Sequence, residues 1–198
     1  MSPFVTFLIV FAVLFLMIFL LDKKYDMLKD SNKEKRKTFS FSRVQLAWWT
    51  TIILSSLVAI MTLGQGIPTL DGSTLILLSI SSATTAAAEV IDISNDSKLN
   101  KATSQKSGKL NLLLDLLSDG GGVNIHRFQA VIINIIFGVY MAVTVIHRMG
   151  DSTVDLSNII PQISDNNLIL LGISSGVYTT LKVAENKTKT VVEENKTQ

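Results

Sequence analysis

The residues whose types and spacing could do chemistry are few. Gly172-Ile173-Ser174-Ser175-Gly176 spells G-x-S-x-G, the pattern that presents a serine nucleophile between a strand and a helix in soluble hydrolases. Here it lies inside the apolar run Leu168 to Ala184, which reads as one helix and supplies no such turn. A membrane-embedded protease would place Ser174 about 9 Å below the outer end of that helix and would need a general base within hydrogen-bond reach. The only histidine expected on the outer side, His147, falls at the very end of another apolar run. A near copy of the word, Leu75 to Ala83, keeps the serines and lacks the glycines. The expectation is therefore no catalytic residue and no enzyme, with intramembrane serine proteolysis as the least favoured alternative.

Other chemistry has still less support. Two histidines and no cysteine leave nothing from which to build a histidine or thiolate metal centre, and no disulfide. The glycines at 120 to 122 lack the Lys-Ser/Thr of a phosphate loop, so no cofactor is expected. A net charge of +2 gives no field that would attract nucleic acid.

The elements that hold these residues are apolar helices. Of 198 residues 47% are hydrophobic and 17% charged, against about 25% charged in ordinary soluble domains, and the mean hydropathy is +0.40. Phe4 to Leu21 offers 18 residues without a charge, about 27 Å as a helix and close to the hydrocarbon thickness of a bilayer. Its flanks, neutral before and Asp22-Lys23-Lys24 after, read as an uncleaved anchor rather than a signal peptide. Further spans are expected at Val44 to Leu63, Leu70 to Val90, Phe128 to Ile146 and Leu168 to Ala184. The fold class is then all-α: an integral membrane bundle of about five transmembrane helices. Lysine and arginine concentrate between the first two spans and in Ser94 to Lys109, which puts those segments in the cytoplasm, the N-terminus outside and the C-terminus inside.

The chain also repeats itself. Leu75 to Ala83 and Leu168 to Gly176 correspond at an offset of 93, and Arg43-Val44-Gln45 and Arg127-Phe128-Gln129 at 84. Each copy carries two spans, so the copies are parallel repeats. The expected layout is an anchor helix (1–22), a basic connector (23–43), a first helix pair (44–93), a linker with a short amphipathic helix (94–125), a second pair (126–184) and a disordered tail (185–198).

Three sets of residues follow. Ser79, Ser82, Ala83, Gly172, Ser175 and Gly176 form small-residue faces of the kind that let helices approach closely in lipid. Arg43, Gln45, Trp48, Trp49, Arg127 and Gln129 sit one turn or less from the cytoplasmic ends, where they would anchor the helices at the interface; the repeated Arg-x-Gln also suggests a specific contact. Ser81, Asn134 and Ser174 are polar positions deeper in the spans, suited to hydrogen bonds between helices or to lining a pore. No ionisable residue falls in the middle of a span, which argues against a pump or an ion-coupled transporter.

Ser42-Arg43-Val44-Gln45 with Trp48-Trp49, His126-Arg127-Phe128-Gln129 and Leu170 to Gly176 together resemble a family of small bacterial multi-pass membrane proteins. The resemblance covers about 41–185. It implies the bacterial cytoplasmic membrane and brings no catalytic residues with it. The expected function is a non-enzymatic scaffold or anchor subunit in contact with membrane lipids, homo-oligomeric, with its cytoplasmic loops open to a protein partner. The alternative is an oligomeric channel lined by the Ser/Thr-rich third and fifth helices.

Overall fold

A computed structural model describes residues 2–30, 37–62, 68–96, 112–119, 122–151 and 159–194. Six helices follow in order: α1 Pro3–Tyr25, α2 Phe41–Met61, α3 Gly72–Asp96, α4 Leu112–Leu117, α5 Ile125–Met149 and α6 Asp165–Glu194. Among the described residues four of them, α1, α2, α3 and α5, are long and apolar enough to cross a membrane.

Local chemistry sets the helix ends. Pro3 occupies the first turn of α1 and the Ser2 hydroxyl accepts from Val5 N–H, the arrangement in which a missing donor costs nothing. At its far end Asp26 closes the helix in the left-handed region, φ 55°, donating its N–H to Asp22 O, a conformation that a short polar side chain tolerates. Asp22 Oδ1 then accepts from Leu28 N–H at 2.9 Å, and an antiparallel bridge between Lys29 and Phe39 turns the chain back to α2. The described part of the basic connector is thus folded. The ends of α3 and α6 are tied to each other: Asp71 Oδ2 accepts from Ser73 N–H, Gln162 Nε2 donates to Asp71 Oδ1 at 3.0 Å and Ile163 N–H donates to Ser73 Oγ at 3.0 Å.

Round the bundle α2 packs on α3 and α5, and α6 packs on the same two helices, while α1 lies against α2 and, more lightly, α5. So α2 faces α6 across one diagonal and α3 faces α5 across the other. The core fills with Trp49, Ile52, Ile53, Ile60, Leu77, Met141, Val145 and Leu171. A smaller cluster of Phe41, Ala88, Leu116, Ala130 and Val131 closes the Arg43 end, where α4 tucks beneath α5. The outer surfaces stay apolar: Val13, Phe15, Phe19, Ile136 and Ile173 are each more than half exposed, as a surface meant for lipid tails would be. α1 contributes few buried residues, Thr6, Phe7 and Asp22, and is the most peripheral of the four apolar helices.

The expected spans coincide with helices, and the short amphipathic helix appears as α4. A two-residue antiparallel pair, Ser118–Asp119 with Gly122–Val123, makes the turn after it. Two differences stand out. α6 runs on as helix to Glu194, past the expected end at Ala184, where the sequence lacks any apolar period but also lacks a Pro or Gly to stop the helix. And α6 is not among the four most apolar helices, although its hydrogen bonds place it alongside them, from Asp71 at one end of the bundle to Gln45 near the other. Most of the Ser94 to Lys109 connector and the Gly64 to Ile67 turn lie outside the described residues.

Candidate functional site

The centre of the molecule is a hydrogen-bonded brace built on Asn134. α5 buries Arg127, Ala130, Val131, Asn134, Gly138, Met141 and Val145, the three-and-four spacing of one helical face, and Asn134 is the amide on that face. Its Nδ2 donates back to Ala130 O at 2.8 Å, which fixes the orientation of the group. Its Oδ1 accepts from Trp49 Nε1 at 2.8 Å and from Gln45 Nε2 at 3.0 Å, using both lone pairs of one oxygen. Gln45 Nε2 also donates to Ser175 Oγ at 3.1 Å, across the diagonal to α6. Gln45, Trp49, Asn134 and Ser175 are each at most 4% exposed. Three helices are thereby joined where a polar group without a partner would cost several kcal/mol in a hydrocarbon surround.

Trp48 extends the brace through the main chain. Its Nε1 donates to Asn134 O at 3.2 Å, an oxygen that also receives the helical N–H of residue 138. That approach requires glycine at 138, because a Cβ there would lie 2.1 Å from Trp48 Nε1. On its other side the Trp48 ring meets Phe11 edge-on at 6.5 Å, which ties α1 to the same point.

Elsewhere several buried hydroxyls turn back on their own helices. Thr51, Ser55 and Ser56 donate to the carbonyls of Ala47, Thr51 and Ile52, each at 2.7 Å, the back-bonding open to Ser and Thr inside helices. Ser174 does the same to Leu170 O at 2.9 Å. The Ser81 and Thr74 hydroxyls are buried with no hydrogen-bond partner among the described residues. At the Arg43 end, Arg43 pairs with Glu89 and donates from Nη1 to Met27 O at 3.4 Å, and Thr85 Oγ1 donates to Ser42 O at 3.1 Å. In the connector Lys29 and Lys37 bond the Asp26 carboxylate and hold its pKa below the ordinary carboxylate value. At the opposite end the Ser73 and Gln162 donors lower that of Asp71.

These placements revise several roles. Trp48 and Trp49, expected at the membrane interface, point inward: Trp49 is 0% exposed, because Asn134 offers its indole N–H a buried acceptor and the ring fills the core. Gln45 is likewise interior, whereas Gln129, in the other Arg-x-Gln motif, is exposed. Arg127 is buried at the start of α5. Of the small residues, Ser175 joins the brace, but Ser79, Ser82, Ala83 and Gly176 face outward. A Cβ on Gly172 would meet Ile80 at an ordinary 3.8 Å, and one on Gly176 would meet nothing within 4 Å. The close approach belongs instead to Gly138, a position not among the small residues expected to pack. Its signal was available: it lies one turn after Asn134 on the same face.

G-x-S-x-G is confirmed as part of a continuous helix, and His147 is exposed at the far end of α5. Among the described residues no three His, Asp or Glu side chains gather as a metal site would require. No protein-family model matches the chain, and neither a curated protein nor a solved structure matches it.

Proposed function

We propose that the chain is a non-enzymatic scaffold of the bacterial cytoplasmic membrane, crossing it five times with the N-terminus outside and the C-terminus in the cytoplasm, and self-associating. The observation that carries this reading is the brace. Gln45 and Trp49 of α2, Asn134 of α5 and Ser175 of α6 are spent on one another and on the Ala130 carbonyl, and fully buried Ile52, Leu77, Val145 and Leu171 fill the space around them. Such an interior supports rigidity, not passage of water or ions. α6 counts as the fifth crossing because it runs beside α3 from the Asp71 end to the depth of Gln45. The basic residues near the end of α1, Lys23, Lys24, Lys29 and Lys37, support a cytoplasmic Arg43 end. Charged loops there are the natural contact for a cytoplasmic partner.

A second reading keeps a pore, formed between copies. It is favoured by the outward hydroxyls of Ser79 and Ser82 on α3 and Thr180 on α6, since hydroxyl-lined pores need no buried charge. Reconstitution of the purified protein in planar bilayers separates the two. The scaffold gives no single-channel current at any voltage; a steady, ion-selective current would overturn it.

A further inference from the structure

A crevice of about 450 Å³ opens beside α5. Ile136, Phe137, Tyr140 and Met141 form one wall, and 161–164 with Asn167 of α6 form the other. The second wall is fixed to α3, through Gln162 Nε2 to Asp71 Oδ1 and Ile163 N–H to Ser73 Oγ. The volume falls within the range of ligand pockets, about 300–1,000 Å³. It is too small for a neighbouring helix, since a piece of helix about 10 Å across and about 10 Å long displaces roughly 800 Å³.

Two properties say what the crevice takes. The first is the position of its mouth. Ile136 and Tyr140 are 59% and 60% exposed and continue the stripe of Ile132, Val139 and Val143 that α5 turns away from the bundle, whereas Met141, at 1%, forms the floor. Tyr140 lies about 13 Å short of the helix end at Met149. The mouth therefore opens sideways within the apolar surface, where lipid tails reach it and a water-soluble ligand does not. The second is a gradient of polarity along the bundle. Asn134 and Ser175 share one donor, Gln45 Nε2, and so mark a common depth. Counted from there toward the Met149 end, Ile136 lies about 3 Å away and Asn167 about 12 Å. The crevice thus runs from an apolar end at Ile136 and Phe137 to a polar end at Gln162, Ser164 and Asn167, and no Asp, Glu, Lys or Arg lines it.

We infer, on the membrane reading proposed above, that the crevice seats one acyl chain of a phospholipid from the leaflet at the Met149 end. The chain lies against Ile136, Phe137 and Met141, and its ester carbonyl accepts from the hydroxyl of Ser164 and the amide of Asn167. An uncharged wall with donors at one end matches that part of a lipid and leaves the charged head group outside.

The test uses a phosphatidylcholine with a diazirine midway along one acyl chain, titrated into the delipidated full-length protein in dodecylmaltoside micelles. After photolysis, peptide mass spectrometry places the adducts. Those on 136–141 and 161–167 should saturate at a single probe per chain and be displaced by unlabelled phospholipid, while those on the exposed α1 residues Val13, Phe15 and Phe19 rise without saturating. Ile136→Trp and Ser164→Trp, at exposed positions on the rim, should each lower crevice labelling about tenfold and leave α1 labelling unchanged. Matching size-exclusion profiles establish that both variants fold. Crevice labelling that rises in step with that of α1, or that the tryptophans leave unchanged, would overturn the inference and leave the crossing in place. Absence of adducts from α1 and α5 alike would remove the membrane reading as well.

Discussion

Replacing Asn134 with Leu keeps the branched shape and the number of side-chain heavy atoms and removes the acceptor on which the brace converges. Trp49 Nε1–H, fully buried, loses its acceptor, Asn134 Oδ1. Gln45 keeps Ser175 as a partner for Nε2, so it loses part of its bonding rather than all. Ala130 O stays in its helix. One orphaned buried donor costs about 1–3 kcal/mol, interhelical hydrogen bonds in membranes average nearer the low end of that range, and the leucine regains a little apolar contact. The expected net loss is about 2 kcal/mol, roughly thirtyfold in the unfolding equilibrium. Reversible unfolding in mixed micelles of dodecylmaltoside and SDS, followed by far-ultraviolet circular dichroism, reads it. Trp49→Phe removes the donor instead, and the pair makes a thermodynamic cycle: the double variant should lose about 1 kcal/mol less than the sum of the singles. A leucine variant within about 0.5 kcal/mol of the parent, below what an orphaned buried donor costs, or singles that add without coupling, would refute the reasoning.

Three further outcomes follow from the same geometry. Gly138→Ala forces the Trp48 ring off Asn134 O and should cost about 1–3 kcal/mol, whereas Gly172→Ala has room and should be neutral or gain up to about 1 kcal/mol from helix propensity; the same unfolding assay ranks them, and the reverse order contradicts the packing described. Asp26 is held below its ordinary value by Lys29 and Lys37, so its contribution is present above the unfolded carboxylate pKa of about 4 and is lost as pH falls through the lowered folded value. Carbon-13 NMR should show Asp26 titrating below that reference, and K29A/K37A should return it. Reporter fusions after Lys37, Lys106 and Gln198 should all read cytoplasm, and an outside signal from any one overturns the orientation.

Hydropathy made the helices legible, because 18 or more residues without charge leave few alternatives to a span. α6 was legible as a helix from Leu168 but not onward to Glu194, since its later residues carry no apolar period. The site was legible in part. Asn134 stood out as the strongly polar residue deep in a span, and the structure gives it the bond between helices for which it was suited. Its partners were harder to read. Tryptophan near a helix end is an ordinary interface signal, and only a neighbouring helix with an acceptor at the right height turns Trp49 inward. The recurring Arg-x-Gln misled in the same way: Gln45 and Gln129 share that motif, but the buried face of α5 runs through 127, 130, 131 and 134 and leaves 129 outside. Helix rotation comes from packing, and a repeated word does not encode it.

The two tryptophans allow the braced interior to be watched directly. In a nitrogen-15 correlation spectrum of the protein in micelles the indole N–H signals of Trp48 and Trp49 can be assigned by single substitution and followed after transfer to deuterium oxide. The brace predicts that the Trp49 signal persists for hours, with Trp48 exchanging sooner at its partly exposed edge, and that N134L brings Trp49 down to minutes. Exchange of Trp49 within minutes in the unmodified protein would mean that water reaches the centre of the bundle, and would contradict the account.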